Sequence, residues 1–140
     1  MSTPLLRLAE HAAGWRGRPI PPELERHARR ALVDWFAALL AGASMPPATL
    51  LAPALAEGAP LGAGAVCYVD GVRCSVRRAA LLNATASHAP EFDDIHRDSG
   101  YHPGCPTIPA ALAAAQAQGA DMATLLRSII AGYEVVCQWR

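Results

Sequence analysis

The spacing of apolar positions predicts a chain of helices. Leu24, Ala28, Ala31, Leu32, Trp35, Phe36, Leu39 and Leu40 recur every three or four residues, which places them on one helix face. Glu25 and Arg29 stand four apart on the opposite face, the spacing of a helical ion pair. Gly42 and then Met45-Pro46-Pro47 stop this helix. Before it, Thr3 as N-cap and Pro4 at the first helical position predict a helix to about Gly14, with residues 16–22 as linker. Residues 49–57 predict a short third helix and 58–64 a loop. Residues 65–69 and 72–75 read instead as two short strands, with Asp70-Gly71 as a type I′ turn. Ser75 then caps a fourth helix of small residues, to about His88. Thr107-Ile108-Pro109 opens a fifth helix, which ends at Gln118 before Gly119. Asp121 caps a sixth, whose face of Leu125, Leu126, Ile129, Ile130, Tyr133, Val136 and Cys137 runs to the last residues. The expectation is an all-α, alanine-rich domain of five to six helices with one small β-hairpin at 65–75.

The chain has 140 residues, enough for one domain with a core. Its net charge is +0, with twelve arginines, no lysine and twelve acids, so it shows no basic footprint for nucleic acid. No apolar run is long enough to span a membrane. The N-terminus lacks a signal peptide's basic start and apolar centre, so a cytoplasmic protein is expected. His11 and His27 fall on polar helix faces and read as surface residues. Cys67, Cys74, Cys105 and Cys137 form no CxxC pair, which argues against a zinc knuckle or an iron–sulfur cluster. Cys67 and Cys74 could meet across the hairpin, but buried, reduced thiols are expected.

Most of the unusual chemistry lies in residues 87–109, SHAPEFDDIHRDSGYHPGCPTIP. Glu91, Asp93, Asp94 and Asp98 are four of the twelve acids, and His88, His96 and His102 three of the five histidines. Pro90, Gly100, Pro103, Gly104 and Pro106 exclude one continuous helix. Crowded carboxylates repel, so one of them should hold a proton unless cations neutralise them, and such a group can act as general acid or base. Imidazole gives and takes protons near neutral pH. Gly104 lets the backbone approach a ligand, and the start of the fifth helix at 104–108 offers N–H groups to a carboxylate, Pro106 excepted. Each feature also has a structural reading. Asp93 or Asp94 can cap a helix or order the loop, His88 can be a satisfied core residue, Asp98 and Ser99 suit a turn, and Tyr101 suits packing.

The run from Asn83 to Gln116, NATASHAPEFDDIHRDSGYHPGCPTIPAALAAAQ, resembles the MmgE/PrpD family, which includes 2-methylcitrate dehydratase and cis-aconitate decarboxylase. The resemblance extends upstream to Pro21-Pro22-Glu23 and to LVDWFAALLAG at 32–42, and downstream to IIAGYEV at 129–135. It implies the N-terminal portion of a helical domain that is discontinuous in much longer proteins, with a smaller α+β domain inserted later. It implies a homodimer, di- or tricarboxylic acid substrates, and catalysis without metal or organic cofactor. By that resemblance His102, of the His-Pro pair, is the acid/base residue. Glu91, where many members have Asp, is its partner or a substrate ligand, and Asp93 is the third catalytic candidate. Asp94, His96, His88 and Gly104 are the substrate-binding candidates. Ile95 stands where many members have Thr. The family's substrate-binding lysines lie beyond this region, so a fragment, a truncated frame or one piece of a split enzyme is expected.

The reaction that follows is a β-elimination on a polycarboxylate. Two other readings remain. Asp93, Asp94 and Asp98 form a DDxxxD pattern, as in magnesium-dependent prenyl-diphosphate enzymes. Alternatively, the chain is a non-catalytic module that dimerises or binds a partner through the apolar faces of the second and sixth helices.

Overall fold

The computed structural model describes residues 3–60 and 62–137. Six helices and a two-stranded hairpin follow in the order α1 (Pro4–Ala13), α2 (Pro22–Gly42), α3 (Ala48–Ala54), β1 (Ala65–Val66), β2 (Arg73–Cys74), α4 (Val76–His88), α5 (Gly104–Gln118) and α6 (Met122–Cys137). The mostly helical fold and its small hairpin are as the sequence predicts. The predicted extension of the sixth helix beyond Cys137 lies outside the described residues.

Local chemistry sets the helix ends. The Thr3 hydroxyl accepts the Leu6 N–H at 3.3 Å, Ser75 accepts that of Arg78 at 3.2 Å, and Asp121 that of Thr124 at 2.8 Å. Gly119 closes α5 in the left-handed region at φ 61°. α3 stops at Ala54, short of the predicted 57; Pro53 lies inside it, and the Leu55 N–H makes its closing bond to the Leu51 carbonyl at 2.9 Å. α5 begins at Gly104, ahead of the predicted Thr107. Pro106 is in the first turn, where an N–H has no intrahelical partner to lose.

The hairpin is shorter than predicted, and its turn is not type I′. Ala65 pairs with Cys74 and Val66 with Arg73. Gly71 has a positive φ of 73° but Asp70 does not, whereas a type I′ turn needs both. Distant partners take over. The Asn83 side chain, buried on α4, accepts the Tyr68 N–H at 2.8 Å and donates to the Val66 carbonyl at 2.9 Å. Cys67 and Cys74 are both buried and free, and the register pairs Cys74 with Ala65 rather than with Cys67.

α4 packs against α2 on one side and α5 on the other. Gly42 lets α2 approach α4 closely, since a β-carbon there would overlap the Ala86 carbonyl. The main core gathers Trp15, Trp35, Leu39, Ile108, Leu126 and Ile129. A second cluster under the hairpin includes Cys67, Cys74, Ala79 and Leu82. Leu40, expected on the buried face of α2, is 66% exposed instead. His27 is exposed as expected, while His11 pairs with Glu134 on α6 at 2.5 Å, and the Trp15 indole donates to the same carboxylate at 2.7 Å. No helix among the described residues is long and apolar enough to cross a membrane. The result for function is positional: α4 ends at His88, α5 begins at Gly104, and the acidic loop hangs between two helices packed on each other.

Candidate active site

The site starts with a reversal of the chain. After His88 the helix stops, and Glu91 adopts φ 57°, the one positive φ of a non-glycine among the described residues. Its N–H bonds the His88 carbonyl at 3.1 Å. The turn brings Asp93 back to the end of α4, where its side chain is only 3% exposed. His88 Nδ1 lies 3.1 Å from Asp93 Oδ2 and 3.2 Å from Oδ1. His102 Nδ1 lies 3.3 Å from Asp93 Oδ1, within ion-pair range, although its angle is off that of a hydrogen bond. The two imidazole rings meet edge to face, with centroids 4.9 Å apart. One buried carboxylate therefore serves two histidines.

Asp94 faces a different set of donors. Its Oδ1 accepts the Gly104 N–H at 2.9 Å, and its Oδ2 accepts the Tyr133 hydroxyl at 2.8 Å. Asp94 thus caps α5, and the N–H expected to meet a substrate carboxylate at Gly104 is taken by the chain's own. Gly104 is crowded by this capping group, since a β-carbon there would sit 2.5 Å from Asp94 Oδ1 and 2.8 Å from the Tyr133 oxygen. Burial, and then the bond to Asp94, hold the Tyr133 phenol far above its ordinary pKa, so it remains a donor. The two neighbouring aspartates therefore bond to separate sets of donors.

Sequence reasoning missed Tyr133 and Cys105. Tyr133 occupies a position on an apolar helix face, and the one available signal was that a buried phenol needs a partner. The Cys105 thiol donates to the His102 carbonyl at 3.3 Å, in the first turn of α5. Burial, and then the charges of Asp93 and Asp94, push its pKa up to about 11.

Other candidates stand apart. The Glu91 carboxylate is exposed and takes no hydrogen bond from the described residues. His96 closes a separate turn, with Nδ1 2.9 Å from the Ser99 hydroxyl and its N–H bonded to the Tyr101 carbonyl at 2.7 Å. Tyr101 is 40% exposed rather than packed. The DDxxxD pattern also dissolves in three dimensions. The segment is not helical, and Asp93 and Asp94 already face partners of their own, so no helix face presents them to a metal-bound diphosphate. An apolar groove of about 330 Å³ between α2 and α6, lined by Leu24, Ala28, Ile129 and Ile130, contains none of the histidine–aspartate cluster.

Residues 6–139 match the family model described as the MmgE/PrpD N-terminal domain. Over 123 residues the chain is 30% identical to the cis-aconitate decarboxylase-like protein oryM of Aspergillus oryzae, an alignment that covers 84% of this chain and 25% of that protein. The chain therefore spans about a quarter of that relative's length. No solved structure matches it.

Proposed function

The chain belongs to the MmgE/PrpD family, and on that premise we propose that it supplies the acid/base part of a lyase site for a small di- or tricarboxylic acid. The observation that carries this reading is the single buried carboxylate of Asp93 set between His88 and His102. In a β-elimination, a base takes the proton alpha to a carboxylate. The C–O bond on the next carbon then breaks, and an acid protonates the departing hydroxyl so that it leaves as water. His102, its Nδ1 turned toward Asp93, keeps Nε2 for the substrate and acts as the acid/base residue. His88, half-exposed beside the same carboxylate, is a second imidazole for the other proton or for the substrate. Asp93 works through both histidines, fixing their tautomer and balancing charge. Such acid/base help is worth roughly 10²–10⁴-fold in rate.

The elimination also builds negative charge on the substrate carboxylate, and cations must stabilise it. Arg97 lies on the loop, but no arginine among the described residues bonds Asp93 or Asp94. The remaining groups come from a longer protein, a complementing chain or a second copy. The same imidazoles could instead return a proton after loss of carbon dioxide, the reaction suggested by the relative's name.

The test begins with the protein isolated from its own host and its native mass spectrum. Complexes found are then assayed with hydroxytricarboxylates for the unsaturated acid. Turnover should fall by roughly 10²-fold in H102Q. Undiminished turnover in that variant refutes the role of His102. The chain alone, without turnover or partner, would leave it an assembly module.

A further inference from the structure

Cys105 has no part in the mechanism above, yet its sulfur is next to it. A ring nitrogen of His88, a carboxylate oxygen of Asp93 and the sulfur of Cys105 all lie within 4.8 Å of one another. Three elements hold them: the end of α4, the loop, and the first turn of α5. Tetrahedral zinc has bonds of roughly 2.0–2.3 Å, which places neighbouring donor atoms about 3.3–3.8 Å apart. His88 Nδ1 and Asp93 Oδ2 are already 3.1 Å apart, so closing the set takes side-chain shifts of about an ångström. The buried His102 Nδ1 lies 3.3 Å from Asp93 without a well-directed hydrogen bond, but it is not among the donors that lie within 4.8 Å of one another. Water would complete the tetrahedron.

We propose that His88, Asp93 and Cys105 form a zinc-binding site. A mix of imidazole, carboxylate and thiolate suits zinc and does not suit magnesium or calcium, which take oxygen donors. On binding, the Cys105 S–H bond breaks, a Zn–S bond forms, and the proton passes to solvent. A neutral imidazole with two anionic ligands then balances the dication. Binding itself is independent of the lyase reading. Its consequence rests on that reading: zinc ties up the imidazole and carboxylate that acid/base chemistry uses, so the site is inhibitory.

The test uses the full chain and Co²⁺ as a spectroscopic probe, followed by displacement with Zn²⁺. One equivalent of Co²⁺ should give tetrahedral d–d bands and a sulfur-to-cobalt charge-transfer band. C105S should lose the charge-transfer band, and both C105S and H88Q should bind Zn²⁺ roughly tenfold or more weakly. C137S, on α6, should match the parent. Circular dichroism of each variant separates lost ligands from lost folding. Absence of one-to-one binding in the parent, or an unchanged affinity in H88Q, overturns the site. In any complex that shows turnover, saturating Zn²⁺ should stop it and a chelator restore it. Turnover that survives while Zn²⁺ is bound overturns the inhibitory role and leaves the lyase reading standing.

Discussion

The hydroxyl of Tyr133 donates to Asp94 Oδ2 at 2.8 Å, tying α6 to a loop 39 residues earlier in the chain. The other oxygen of that carboxylate holds the N–H of Gly104. Tyr133→Phe removes one donor and leaves a partly buried carboxylate oxygen without it. Hydrogen bonds to charged groups are worth about 1.5–3 kcal/mol, and that loss should appear as a lower urea midpoint. Asp94→Asn should be non-additive with it in a double-mutant cycle. Simple addition of the two effects would show that the bond contributes nothing.

Gly104→Ala tests the same cluster from the side of the backbone. Alanine normally improves on glycine by about 1 kcal/mol in a helix interior, and by less at the first helical position, where Gly104 stands. Here the new methyl would meet Asp94 Oδ1 at 2.5 Å and the Tyr133 oxygen at 2.8 Å, and such overpacking costs about 1–3 kcal/mol. The variant should be less stable than the parent in thermal melts. In a Tyr133→Phe background one of the two collisions is gone, so the penalty should shrink. A penalty that stays the same there would place the strain elsewhere.

These contacts explain what the sequence did and did not disclose. Helix faces and caps were legible because they depend on residues three or four apart: Ser75 with Arg78, Asp121 with Thr124. The contact of Asp93 with His88 was not read from the sequence, because it depends on the chain reversal after α4 and not on helical spacing. The family resemblance singled out both Asp93 and His102 but gave no contact between them. Tyr133 was hidden because its partner lies across the fold, and on its own helix it counts as one more apolar-face position. The turn at Asp70-Gly71 was misread because Asp70 answers to Arg78 on α4. Glu91 and His96 were grouped with the site through their place in the acidic loop and the family resemblance. Among the described residues neither side chain bonds the His88–Asp93–His102 cluster: Glu91 points to solvent from its turn, and His96 bonds Ser99.

Asp70 should make the fold acid-sensitive. Arg78, only 7% exposed, donates to Asp70 Oδ2 at 2.7 Å and to the Leu55 and Ala52 carbonyls. Burial pushes the Asp70 pKa up, but the bond from Arg78, with the Val72 N–H and the guanidinium charge, outweighs it. The folded-state pKa therefore lies below the ordinary 3.8. A depressed carboxylate stabilises the fold above its unfolded pKa, and that stability is lost as pH falls through the folded value. The melting temperature should decline below about pH 5. Asp70→Asn should be less stable near neutrality by about 1.5–3 kcal/mol, with a flatter acid limb. The limb should not vanish, because the pKa values of Glu57 and Asp121 are lowered too. A D70N profile parallel to that of the parent would remove Asp70 as the cause.

Glu91 is the place where folding and function should separate. At φ 57° it occupies a region that costs a side-chain-bearing residue about 1–2 kcal/mol. Its exposed carboxylate makes no bond among the described residues that would offset the cost. Glycine makes the same turn without that penalty, although it adds freedom to the unfolded chain. Glu91→Gly should therefore stabilise the isolated chain by about 0.5–1 kcal/mol. Glu91→Ala, which keeps a β-carbon and so the strain, should leave stability close to that of the parent. Both variants remove the carboxylate. If Glu91 meets the substrate, a complete enzyme should lose turnover in both, by similar factors, despite their different stabilities. Backbone strain at a position whose side chain does not help the fold is the pattern expected of a residue held ready for chemistry. A stabilised Glu91→Gly variant with undiminished turnover would take Glu91 out of the site and leave only its turn.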